Sequence, residues 1–174
     1  MLTYSSAVIR PRPTALLALV AALAATPTAA RAQPAPADIK KEADEKMLSL
    51  DYQGALDLYD QVYEKTKDPA LHYNRGRALA ALLRFPEALD MVEAFQREAN
   101  PELKAKVPKL DEFVAQIRDR VATLSVTTKG GVKATVRLGD VVIGTTPLSQ
   151  KRVNAGESQL RVQADGYDPI EPWL

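Results

Sequence analysis

From Asp38 onward, apolar residues recur at helical spacing in paired stripes, and from Leu124 they recur at every second position instead. The first stripe is Ile39, Ala43, Met47 and Leu50, with steps of four, four and three, which predicts an amphipathic helix capped by Asp38. The segment "LDYQG" ends it. A second stripe follows at Ala55, Leu58, Tyr59, Val62 and Tyr63. Two such helices joined by about four residues predict an antiparallel hairpin. The hairpin then recurs: Ala43 aligns with Gly76, Tyr52 with Phe85 and Ala55 with Ala88, each at an offset of 33. The small residues mark where paired helices approach closely, and Tyr59 and Phe95 fill the wider gaps. Pro86 suits a first helical turn, where its missing N–H costs nothing. Asp68-Pro69 and Asn100-Pro101 stop one helix and start the next.

Residues 102–123 carry Leu103, Val107, Leu110, Val114, Ile117 and Val121 at steps of four and three. They predict a capping helix over the second hairpin, because stacked hairpins leave an apolar face that must be covered. Pro108 crowds Val107 and removes a donor, so a kink or two short helices is expected there. The alternative, a coiled-coil strand, asks for about three to four heptads, and the stripe is shorter.

Beyond it, Leu124 and Val126 alternate with polar residues, as do Val132, Ala134, Val136 and Leu138 after "KGG". These read as half-buried strands. Gly139-Asp140 is a two-residue hairpin signal. "TTPL" turns the chain again, "NAGES" precedes a strand with Leu160, Val162 and Ala164 inward, and "DGYDP" ends it. The expected fold class is α+β: helical hairpins of α-solenoid type, then a small antiparallel β-sandwich or open barrel.

The paired stripes, with Ala55, Tyr59, Gly76 and Ala88 at their signature positions, resemble the tetratricopeptide repeat family, whose units run about 34 residues. The departures are Ile39 and Val92 where aromatics are usual, and a late closing proline in the first unit. The resemblance implies a concave groove lined by the first helix of each unit. That places Lys40, Asp44 and Met47 there from unit one, and Tyr73, Asn74 and Arg77 from unit two. Lys40, Asn74 and Arg77 could then clasp an acidic or carboxyl-terminal peptide.

The stretch "VRLGDVVIGTTPLSQKRVNAGESQLRVQADGY" resembles the PEGA domain, a small bacterial envelope module, through Gly144, Thr146, Pro147, Leu148, Gly156, Gly166 and Tyr167. Asn154-Ala155-Gly156 departs from the family's usual turn. The resemblance implies a final strand continuing past "PIEPWL", so the domain is expected to be truncated at Leu174, and any membrane attachment would come from such a continuation.

The expected organisation is a signal peptide over 1–32, a Pro/Ala linker over 33–37, two hairpins over 38–101, the cap over 102–123 and the β domain over 124–174. The signal rests on Arg10 and Arg12, the apolar run "TALLALVAALAA" and the small-residue site Ala30-Arg31-Ala32, with cleavage after Ala32. The run is about a dozen residues, short of the roughly 20 a spanning helix needs. A permanent N-terminal anchor is the competing reading. Cleavage removes three arginines and no acid, leaving 20 basic against 22 acidic residues.

That balance lacks the basic stripe of a nucleic-acid binder. The chain has no cysteine, which excludes disulfides and thiolate chemistry. Its single histidine, His72, has no partners at metal-ligand spacing. "KGGVK" lacks the spacing and following helix of a phosphate loop. Asp140 and Asp165 sit beside glycines as turn residues. No catalytic residue, metal or cofactor is therefore expected. The chain reads as a non-catalytic, exported envelope adaptor holding a protein or peptide partner in the helical groove. The alternative is a carbohydrate-binding protein whose polar outer sheet face, Thr127, Lys133, Thr135, Arg137, Gln159, Arg161 and Gln163, meets peptidoglycan or exopolysaccharide.

Overall fold

The computed structural model describes residues 34–174. The expected signal segment, and Gln33 of the linker, lie outside them. Helices α1 (Pro36–Leu48) and α2 (Tyr52–Thr66) form the first hairpin, and α3 (Ala70–Ala81) and α4 (Phe85–Glu98) the second. α1 starts before the expected cap. Pro36 occupies its first turn behind Ala35, while Asp38 becomes a first-turn acid that favours the positive helix end. The linker is correspondingly shorter than 33–37.

The repeat extends to backbone hydrogen bonds. Leu50 and Leu83 both have left-handed backbones, φ 66° and 60°. Around them, Asp51 N–H donates to the Lys46 carbonyl at 3.0 Å and Arg84 N–H to the Leu79 carbonyl at 2.9 Å. Each hairpin turn is thus closed by the same six-to-one bond that ends many helices. This overturns the reading of Leu50 as a buried stripe residue. It lies past the end of α1 and is 69% exposed.

Ile39, Ala43, Ala55, Tyr59, Val62 and Leu71 form one core cluster. Leu56, which the stripes missed, faces the other way into a second cluster with Leu79, Leu89 and Val92. Gly76 sits where α3 and α4 meet, and a Cβ there would lie 2.7 Å from Val92 Cγ1. Burying such aliphatic side chains is worth about 1.5–3 kcal/mol each, so these clusters dominate the stability of the helical half.

The cap is two helices, α5 (Pro101–Ala105) and α6 (Leu110–Arg118), broken around Pro108 with Lys109 left-handed at φ 60°. Asn100 caps α5, its Oδ1 accepting from Leu103 N–H at 2.8 Å. Val114 and Ile117 of α6 are buried in the second cluster. From Leu110 onward the expected stripe packs on the hairpin beneath it, whereas Leu103 and Val107 lie outside that cluster and α5 buries none of its residues.

Five antiparallel strands follow: β1 (Val121–Val126), β2 (Thr135–Leu138), β3 (Val141–Thr145), β4 (Leu148–Asn154) and β5 (Leu160–Gln163). β1 begins three residues before Leu124, because Val121 pairs with Asn154 while still packing on the helical core. β1 and β4 make one sheet, and β3, β2 and β5, in that order, another. Gly139, at φ 56°, turns β2 into β3 with Leu138 opposite Val141. The buried residues of this part are Ala134, Val136 and Leu160, together with Thr146. The Thr146 hydroxyl donates to the Val132 carbonyl and accepts from Ala134 N–H, both at 2.9 Å. The segment after β5 pairs back on it: Val162 N–H donates to the Ile170 carbonyl and Leu160 N–H to the Pro172 carbonyl, each at 2.9 Å.

Candidate functional site

The six groove residues expected from the repeat resemblance lie on α1 and α3, and the fold gives them different tasks. Asp44 accepts from Lys40 Nζ at 2.8 Å and from the Tyr59 hydroxyl at 2.7 Å. Burial, and then the Asp44 carboxylate, push the Tyr59 hydroxyl above its ordinary pKa, opposed by the positive charge of Arg77 nearby. Tyr59 therefore stays a neutral donor and ties α2 to α1. Met47 is partly buried against both core clusters and serves as packing between the hairpins.

Tyr73 is wedged between aromatics, its ring centroid 5.6 Å from Phe95 and 5.8 Å from Phe113 of α6. The Arg77 guanidinium lies 5.9 Å from the Tyr73 ring centroid, a weak cation–π contact worth about 0.5–1 kcal/mol at an exposed site. Among the described residues, Arg77 forms no ion pair and Asn74 no side-chain hydrogen bond. The surface thus offers two uncommitted polar groups beside a held aromatic ring. Phe113 and the hydroxyl bond of Tyr59 to Asp44 escaped the sequence reading, since a ring on a cap and a hydroxyl pointing across a hairpin leave no trace in periodicity.

A second set of charges joins sheet to helices. Arg152 of β4 reaches Asp90 at 2.6 Å and Glu93 at 2.9 Å on α4, and Arg118 approaches Glu93 at 3.4 Å. Asn154 accepts from Phe85 N–H at 3.2 Å and donates to the Leu83 carbonyl at 2.8 Å. Burial alone would raise the Glu93 pKa, but hydrogen bonds and charge from Arg152 and Arg118 outweigh it and hold the carboxyl below its usual range.

His72 is buried between α3 and α4, its Nε2 3.0 Å from Glu98 and its ring 4.8 Å from that of Tyr63. Lys129–Gly131 forms a short 3-10 turn leading toward β2. Among the described residues no group of three or more histidines or acids is placed to hold a metal. No helix among them is long and apolar enough to cross a membrane.

Residues 121–172 match the PEGA domain family, which covers β1 to β5 and the paired segment after them. No curated protein and no solved structure matches the chain.

Proposed function

We propose that the chain is a non-catalytic adaptor of the bacterial cell envelope. It is exported by a signal peptide cleaved after Ala32 and works in the periplasm or outside the cell. Its tetratricopeptide-like hairpins hold a protein or peptide partner, and its PEGA module faces the envelope. One observation carries this reading: Lys40 and Asp44 are bonded to each other and Asp44 to Tyr59, whereas among the described residues Arg77 has no ion pair and Asn74 no side-chain hydrogen bond beside Tyr73. A peptide with an acidic side chain or terminal carboxylate suits that pair through charge-assisted hydrogen bonds.

Photo-crosslinking residues placed at Asn74 and Arg77, and at exposed Gln61 on α2, test it in cells. Adducts of one common mass from the first two and none from Gln61, lost in Arg77→Glu when the crosslinker is at Asn74, are the expected result. Equal labelling from Gln61, or adducts indifferent to Arg77→Glu, would remove the reading. A second reading, polysaccharide binding by the sheet, is favoured by the exposed Trp173 within a polar cleft.

A further inference from the structure

The outer face of the three-stranded sheet is laid out in rows. Arg137 of β2 stands opposite Arg161 of β5, and Thr135 opposite Gln163. The bridge between Gln159 and Trp173 extends the register to the segment after β5, where Glu171 reaches Arg161 Nε at 3.2 Å. Alternate residues share a sheet face, so Arg137, Gln159, Arg161, Gln163, Glu171 and Trp173 stand together. They line an open cleft of about 630 Å³.

Two features identify what the cleft suits. Trp173 is 73% exposed, yet its backbone is fixed on both sides: the Pro172 carbonyl accepts from Leu160 N–H at 2.9 Å, and Leu174 N–H donates to the Ser158 carbonyl at 3.0 Å. A large apolar ring is thus held in water at low conformational cost, ready to cover a flat partner. Around it the charges balance, Arg137 and Arg161 against Glu171 and the nearby Asp140. The formal charges of the lining sum to zero, and Arg161 is already paired with Glu171. What remains is a set of planar amides, guanidinia and a carboxylate, whose paired donors and acceptors match neighbouring hydroxyls. A flat C–H face with a hydroxyl edge is the description of a pyranose ring.

We infer that this cleft binds a neutral, hydroxyl-rich polysaccharide, with one sugar ring on the Trp173 indole and its hydroxyls bonded by Gln159, Arg161 and Arg137. The inference rests on the polysaccharide reading above and fixes its place and ligand class.

Trp173 is the chain's single tryptophan, so its fluorescence reports the site directly. The full chain is titrated with dextran, a soluble β-glucan, polygalacturonate and a single-stranded oligonucleotide. The expected result is a blue shift and protection from iodide quenching by at least one neutral glucan, undiminished by high salt. Gln159→Ala and Arg161→Ala should weaken it about tenfold with unchanged far-ultraviolet circular dichroism. Unchanged emission with both neutral polymers, or a response confined to polygalacturonate or the oligonucleotide and abolished by salt, overturns the inference. Retention on insoluble cell-wall polysaccharide separates the two levels. Equal retention of the unaltered chain and Trp173→Ala sinks this site and leaves the polysaccharide reading standing, whereas retention of neither sinks both.

Discussion

In the helical hairpins Phe95, Leu71 and Val92 are withdrawn from water, whereas the sheet adds to the same set only Val136 and a threonine, Thr146. The hairpins stack three layers deep, α1 with α2, α3 with α4, then α6, so each layer buries the open face of the one before. The sheet module is too thin for that. Its interior is held by a hydrogen-bonded hydroxyl as well as by apolar contact. The difference teaches where each half is vulnerable: removed volume should hurt the hairpins most, and a removed polar partner the sheet.

Far-ultraviolet circular dichroism follows the helices in urea, and hydrogen exchange of peptides from the strands follows the sheet, so the two halves can be broken separately. Phe95→Ala should have the largest effect, lowering helical stability by about 3–5 kcal/mol, because the ring fills the space between Tyr73 and the core. Thr146→Val keeps the shape of the side chain and strands the Val132 carbonyl and Ala134 N–H. It should cost the sheet about 1–3 kcal/mol, read as loss of exchange protection in strand peptides at lower urea with the helical transition displaced less. If the helical transition moved more, the division between the halves would be wrong.

The smallest effect is expected at the join. Glu93 has a folded pKa below its ordinary 4.5, so it contributes stability above about that pH, and this is lost as pH falls through the folded value. Partial exposure of Arg152 and screening limit the contribution to about 1 kcal/mol. Glu93→Gln should flatten the acid limb of the stability profile, and Arg152→Met should do the same. An unchanged limb in both would show that the join depends on Asn154 and the backbone instead.

The hairpins were legible in the sequence because burial by helices imposes a period, and the 33-residue offset reappears in core, turns and hydrogen bonds. The strands and the Gly139 turn were legible for the same reason at period two. Leu50 was misread because a stripe does not announce where its helix ends, and Leu56 was missed because α2 buries two faces while a single stripe describes one. The start of β1 was placed late because Val121 satisfies both rhythms. The grouping of the groove residues came from the repeat resemblance, and the Tyr59–Asp44 bond could not be read from the sequence, since polar bonds across elements obey geometry without periodicity. Arg152 was invisible for that reason: its partners lie about sixty residues away in the chain.

The fastening of sheet to helices has a mechanical corollary. Arg152 is bonded to α4 and Asn154 to its first residue and the turn that precedes it, and among the described residues neither side chain has a hydrogen bond to the first hairpin. A pull applied to the sheet is carried by the second hairpin before any of it reaches α1 and α2, so the leading pair of helices projects from that anchorage like a cantilever.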